Sequence, residues 1–188
     1  MSAGDRGSLF RIVGERIEWS GRRIDVVVVE VEGPGGSQHE REIVRHKGAV
    51  GIVPLHGDGT VTLVRQYRAA VDADLWEIPA GLRDVAGEPT HETAQRELGE
   101  EVGLRAERLE HLVTFHNSPG FSDETVVVYL ATGLTAVPDD RQGIEEQHMQ
   151  VERMPLADAL AMVDHGRVTD AKTVIALLAI ARRRVATG

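Results

Sequence analysis

Five carboxylates fall within one short stretch of the chain: Glu88, Glu92, Glu97, Glu100 and Glu101. If that stretch is helical, residues three and four apart share a face, so Glu97, Glu100 and Glu101 converge. Like charges at that spacing cost roughly 0.2–0.5 kcal/mol per pair unless a cation stands among them. Hard divalent cations such as Mg²⁺ take carboxylate oxygens, water and substrate phosphates, so this face suits a phosphate-handling metal site. The plainer reading is a solvated acidic face on which Arg96 pairs with Glu92 and Glu100 at four-residue spacing. Against it stand Gly99, which costs about 1 kcal/mol relative to Ala in mid-helix, and an approach loop dense in glycine and proline.

The elements around this stretch are legible from periodicity. Ala94, Leu98 and Val102 recur every four residues and predict a helix over 89–102, with Gly103 at its C′ position. Upstream, strands are predicted over 9–19, 24–32 and 40–46, the second closed by the turn Gly33-Pro34-Gly35-Gly36. Two further β-branched runs, 49–55 and 61–67, flank His56-Gly57-Asp58-Gly59 and read as a tight hairpin. Residues 75–81 form a short extended piece stopped by Pro79 and Gly81, and a loop follows over 82–87. Downstream come a Val-rich strand over 125–132, an acidic loop over 138–147, and a strand over 149–154. Helices over 156–164 and 170–185 end the chain, the latter capped by Asp170 or Thr169. Short strands interleaved with three convincing helices predict an α+β or mixed α/β/α layered domain, not a parallel doubly wound sheet. The expected organisation is a β-rich N-terminal segment over 1–45 and a main domain over 46–188, the boundary near His46-Lys47-Gly48.

At 188 residues and 41% hydrophobic, the chain can bury one domain core with a small appendage. Lys plus Arg number 21 against 30 Asp plus Glu, a net charge of −9, the wrong sign for holding nucleic acid through its phosphates. With no cysteine, disulfides, thiolate metal sites and cysteine nucleophiles are excluded, so any metal must be held by oxygen or imidazole. The longest apolar runs, over 26–29 and 174–181, fall far short of the roughly 20 residues of a membrane span. Residues 1–7 lack the apolar run of a secretory signal, which makes the cytoplasm the expected compartment.

Glu88, seven residues, then Arg96-Glu97-Leu98-Gly99-Glu100-Glu101-Val102-Gly103-Leu104 resembles the Nudix box, G-x5-E-x7-R-E-U-x-E-E-x-G-U with U aliphatic. Every specified position from Glu88 onward matches. The one departure is that six residues, not five, separate Gly81 from Glu88, a one-residue insertion in the loop. The flanks Arg65-Gln66-Tyr67-Arg68, Leu75-Trp76-Glu77-Ile78-Pro79-Ala80-Gly81 and Ser118-Pro119-Gly120-Phe121-Ser122-Asp123-Glu124 resemble the ADP-ribose pyrophosphatase subgroup. So does Pro119, fifteen residues past Leu104.

The resemblance implies a layered Nudix fold whose N-terminal segment dimerises. It implies Mg²⁺, with Mn²⁺ able to substitute, held by Glu97, Glu101 and the carbonyl of Ala80, with Glu100 as a ligand or a partner of the ligands. Glu101 thereby counts among the catalytic residues, and Arg96 and Glu88 hold the loop-helix shape. The catalytic base comes from the acidic loop, Glu146 by preference over Glu145, against the reading of an ordinary exposed loop pair. Arg68, Gly81, Pro119 and Glu124 are the implied substrate-binding residues. Arg68 is the candidate for a bidentate phosphate contact and is otherwise a surface arginine at a strand end. Trp76, flanked by Leu75 and Ile78, reads as core more than as an adenine platform. The histidines show no metal-pair spacing and read as surface or packing residues. The implied reaction is hydrolysis of the diphosphate of ADP-ribose to AMP and ribose 5-phosphate by a metal-activated water. Rivals are another nucleoside diphosphate sugar or NADH as substrate, and a non-catalytic ADP-ribose sensor. The expected partners are the small-molecule substrate and a second copy of the chain, without nucleic acid or membrane.

Overall fold

The structure is a computed structural model that describes residues 8–141 and 144–187. Residues 1–7, on which the absence of a signal segment was read, lie outside the described residues. The chain divides into two compact units: Met1–Lys47 with His116–Glu124, described from Ser8 onward, and Gly48–Phe115 with Thr125–Gly188.

The first unit is an antiparallel meander of β1 (Arg11–Ser20), β2 (Ile24–Glu32) and β3 (Gln38–His46), with β2 in the middle. The glycine-proline signal after β2 becomes a single 3₁₀ turn, Pro34–Gly36, in which Gly35 and Gly36 take φ of 73° and 78°. Residues 116–124 line up beside β3, where Val44 N–H donates to the Phe121 carbonyl at 2.7 Å. Asp123 fastens them by accepting from His46 N–H at 2.8 Å and from Arg45 Nη1 at 3.1 Å.

The second unit holds β4 (Ala49–Pro54), β5 (Thr60–Arg68), β6 (Ala73–Glu77), β7 (Ala80–Leu82), α1 (Thr90–Val102), β8 (Leu104–His116) and β9 (Thr125–Ala136). It ends with α2 (Ile144–Gln147), β10 (Gln150–Pro155), α3 (Leu156–Asp164) and α4 (Ala171–Thr187). Two sheets form, one in the order β7-β4-β9-β8 and one in the order β10-β5-β6. β4 runs parallel to β9, while β4–β7, β5–β10 and β5–β6 are antiparallel.

Alternation along β4 explains the layering. Val50 and Ile52 face Ala94 and Leu98 of α1, whereas Val53 joins Leu63, Val128, Leu156, Ala159 and Leu177 in a core shared with α3, α4 and the second sheet. A strand covered on both faces must be apolar throughout. That is why 49–54 reads as an unbroken run and is buried from Val50 to Pro54.

Three expectations are corrected. The hairpin across His56-Gly57-Asp58-Gly59 closes only one bridge, Leu55 to Val61; β4 and β5 then part into different sheets, because each is wanted by other partners. The extended piece 75–81 is two strands, β6 ending on the second sheet and β7 beginning on the first, since Pro79 has no N–H to continue a ladder. The acidic loop contains the single turn α2. β8 has no counterpart in the sequence pattern at all. The helix cap is Asp170, whose Oδ2 accepts from Thr173 N–H at 3.0 Å. Among the described residues no helix is long and apolar enough to cross a membrane.

Candidate active site

α1 starts after Pro89 and stops at Gly103, whose φ of 62° is the left-handed conformation that glycine adopts without strain. Its apolar positions Ala94 and Leu98 are fully buried, and this orients the rest of the helix. Glu97 and Glu101, four residues apart, lie next to that buried stripe and face β7. Glu101 is only 4% exposed, and its Oε2 accepts the Ala80 N–H at 2.9 Å. Glu97 crosses directly over Gly81: a Cβ built there would fall inside the Glu97 carboxylate. Gly81, expected as a substrate contact, is therefore the residue that makes room for Glu97.

Glu100 meets this pair through a shared cation. It stands on the outer flank with Arg96, whose Nη1 donates to Glu100 Oε2 at 2.9 Å and to Glu97 Oε1 at 2.7 Å. Arg96 also reaches back to Glu88, with both N···O distances 3.4 Å, and to Asp84 at 3.7 Å. Arg96 and Glu88 thus tie helix to loop, as the resemblance implies, and Glu92 takes no part. The loop absorbs its residues in a turn closed by Glu88 N–H on the Val85 carbonyl at 3.2 Å, with Gly87 at φ 78°.

The electrostatics of the pair are unfavourable as it stands. Burial, followed by the charges of Glu97 and Glu146, pushes the Glu101 carboxyl up to about 8, although the Ala80 N–H and Arg68 oppose the rise. Burial likewise pushes Glu97 up to about 7, with Arg96 opposing and Glu100 and Glu146 adding to the rise. Glu146 therefore stands close enough for its charge to be felt by both, and it is half-buried, whereas Glu145 is exposed. A buried carboxylate and a largely covered one, both feeling the charge of a third and with more affinity for positive charge than their neighbours satisfy, form an all-oxygen donor set that a hard divalent cation fits. Among the described residues no three such groups already stand in ligand geometry. Glu97 rests on Arg96, and Glu101 on the Ala80 amide.

Cations adjoin the cluster. Arg68, at the end of β5, places Nε and Nη2 on the two oxygens of Glu77, each at 2.6 Å, leaving its Nη1 side uncommitted by that fork. Glu77 is 1% exposed and also binds Lys172, which in turn meets Asp170 at 2.9 Å. Thr173 Oγ1 accepts the Ile78 N–H at 2.8 Å and so fastens the bend between β6 and β7 to α4. Sequence reasoning missed Glu77 and Lys172 as Arg68's supports. The available signal was a lone carboxylate in an apolar strand, which must find a cation if buried. Trp76 packs against the core, as expected. His111 stacks edge-on against Tyr129, with ring centroids 6.1 Å apart.

Pro119 and Glu124 belong to the other unit. Pro119 is exposed in a turn closed by Phe121 and Ser122 N–H groups on the Ser118 carbonyl. Glu124 accepts from Asn117 Nδ2 at 2.9 Å and stands 3.7 Å from His46 Nδ1.

An acidic, oxygen-only pair on a helix, with an arginine nearby at the junction of two sheets, is an arrangement suited to metal-assisted phosphate chemistry. The NUDIX domain model matches residues 45–177, and the chain belongs to the Nudix family. It is 46% identical over 151 residues to the ADP-ribose pyrophosphatase of Mycobacterium tuberculosis, covering 80% of this chain and 73% of that one. With the ADP-ribose pyrophosphatase of Bacillus subtilis it shares 40% identity over 159 residues, 85% of each chain. A crystal structure described as an ADP compounds hydrolase superposes with a TM-score of 0.82 over 98% of this chain and 99% of that one, at 23% identity, a likeness of fold.

Proposed function

We propose that the protein hydrolyses the diphosphate of ADP-ribose to AMP and ribose 5-phosphate. The observation that carries this reading is the Glu97–Glu101 pair beside Ala80, both carboxyls pushed up by burial even though Arg96 pairs with Glu97, both feeling the charge of Glu146, and with the Arg68 fork adjoining. The substrate follows the relatives, and Mg²⁺ is the cation in this reading. Glu97, Glu101 and the Ala80 carbonyl would hold it, with Glu100 beside them, and Mn²⁺ would substitute. When bound, Mg²⁺ supplies neutralisation of the diphosphate and polarises the attacked phosphoryl group.

The chain's own groups do the rest. Arg68, held rigid through Glu77, presents Nη1 to the diphosphate oxygens. Glu146 takes a proton from the attacking water as its oxygen bonds to phosphorus and the bridging P–O bond breaks. Attack on either phosphorus gives the same two products. The roles of Pro119 and Glu124 toward substrate rest on the resemblance alone. The chain works in this reading as a cytoplasmic homodimer. The exposed apolar side chains Leu9, Phe10, Ile12, Ile17 and Trp19, each more than half exposed, support the second copy.

The test is incubation with ADP-ribose, ADP-glucose and NADH, with Mg²⁺ and then with EDTA, with products resolved by chromatography. Metal-dependent AMP release, fastest from ADP-ribose, is expected. Preference for another compound overturns the substrate, and binding without cleavage makes the protein a sensor. Glu146→Gln should lose about 10²- to 10⁴-fold in kcat; that loss in Glu145→Gln instead would move the base by one residue.

A further inference from the structure

The turn α2, which carries Glu145 and Glu146, has four residues, and its first, Ile144, is 70% exposed. One turn cannot hold itself in place, because helix nucleation is unfavourable and its gain comes only with length. Its position must come from ties to the rest of the unit.

Several described ties meet on one side chain, Arg141. Leaving β9, the chain runs along the C-terminal end of α1, with Val137 N–H on the Gly103 carbonyl at 2.9 Å and Asp140 N–H on the Glu100 carbonyl at 3.1 Å. The next residue, Arg141, donates Nε to the Glu101 carbonyl at 3.0 Å. The last carbonyls of a helix lack internal partners, so this contact satisfies the backbone of a residue in the acidic pair itself. The same guanidinium donates Nη1 to the Met149 carbonyl at 3.3 Å, just beyond α2. Met149 is 4% exposed, and its N–H returns to the Glu146 carbonyl at 3.2 Å. Asp139 Oδ2, 3.2 Å from Arg141 Nε, steadies the guanidinium.

We propose that Arg141 is a positioning residue for the hydrolysis, stapling the segment that carries Glu146 to the end of the helix that carries Glu97 and Glu101. The inference rests on the reading of Glu146 as the base. A planar guanidinium presents donors from separate nitrogens in fixed directions, so it spans the two carbonyls and sets their separation, whereas the three donors of a lysine ammonium radiate from one freely rotating nitrogen. Without the staple the segment loses its link to the end of α1, and Glu146 samples positions off the line of attack. A misplacement of about 1 Å is enough to cost about 10²-fold in rate.

The test is a double-mutant cycle on the full chain, with kcat and KM for ADP-ribose and thermal melts recorded for Arg141→Ala, Arg141→Lys, Glu146→Gln and the Arg141→Ala/Glu146→Gln pair. Arg141→Ala should lower kcat by about 10- to 10²-fold with KM held within about threefold. In the Glu146→Gln background the same change should lower kcat no further, because residues that act as a unit are not additive. Arg141→Lys keeps a cation at the helix end and should melt near wild type, yet lose turnover like Arg141→Ala. That separates positioning from capping and keeps the test open if Arg141→Ala folds poorly. Losses that multiply in the pair, or Arg141→Lys at full turnover, overturn the proposal while leaving the base in place. Glu146→Gln at wild-type rate overturns the base assignment and the proposal together.

Discussion

Gly81 can be replaced by alanine to ask whether the space above β7 is what sets Glu97. The added Cβ would occupy the position of the Glu97 carboxylate, so about 1 Å or more of retreat is required to restore ordinary contact. The backbone cannot give easily, because Gly81 is in register with Val50 of β4 and the neighbouring Ala80 N–H is bonded to Glu101. Glu97 must therefore shift or leave its 2.7 Å bond with Arg96. Overpacking of this kind costs about 1–3 kcal/mol, well inside the roughly 5–15 kcal/mol that holds a domain folded. The rate, however, should fall about 10²-fold for a displacement of about 1 Å.

The assay is AMP release from ADP-ribose at saturating Mg²⁺, paired with thermal denaturation, and Gly133→Ala serves as the control. Gly133 lies on β9 beyond the Pro54–Ala131 end of its register with β4, at φ 65°, and a Cβ there would meet Glu107 Cβ at 2.6 Å. Gly133→Ala should lose stability and keep kcat; Gly81→Ala should lose kcat. A folded Gly81→Ala protein that turns over within about threefold of wild type would refute the reasoning, since the threshold is far smaller than the loss expected for that displacement.

Two further outcomes follow from the charges. In EDTA, Glu101 is raised to about 8 and Glu97 to about 7 from an ordinary 4.5, so the folded chain binds more protons than the unfolded one in between. Stability should fall as pH rises from about 4.5 to about 8. Melts of Glu97→Gln/Glu101→Gln should show a flatter profile, and an unchanged slope would sink the assignment. Glu77→Gln should destabilise by about 3 kcal/mol, the low end for breaking a buried pair because Arg68 is partly exposed, and should raise KM as Arg68 loses its fork. Burial alone would raise the Glu77 carboxyl, but Arg68 and Lys172 hold it low. Its contribution is present above the ordinary carboxylate range and lost as pH falls below it. A shift in urea unfolding under about 1 kcal/mol would count against the network.

What the sequence made legible was local. β2 and α3 end where their periodicity ends, and Gly103 stops α1 because a left-handed cap asks for glycine. Glu97 and Glu101 could be paired from spacing alone. β8 escaped because Leu104 and Ala106 set one phase, Leu109 breaks it and Leu112 returns to it across a charged stretch, so neither a two-residue nor a helical period is sustained. The hairpin reading failed because turn chemistry says nothing of which sheet each strand then joins. Glu77 and Lys172 are 95 residues apart, and Arg141 lies 40 from Glu101. Contacts of that range leave no pattern in a single sequence.

The bend at Ile78-Pro79 carries the chain from the edge of one sheet to the edge of the other, and its one hydrogen-bond donor, the buried Ile78 amide, is held by a hydroxyl on α4 instead of by a strand. Sliding of the sheets past each other would pull Ala80 away from Arg68 and would release that amide in the same movement. The exchange of a single backbone proton with solvent therefore reports how often the two sheets come out of alignment at this bend, and the hold that must give is Thr173 of α4, remote in sequence.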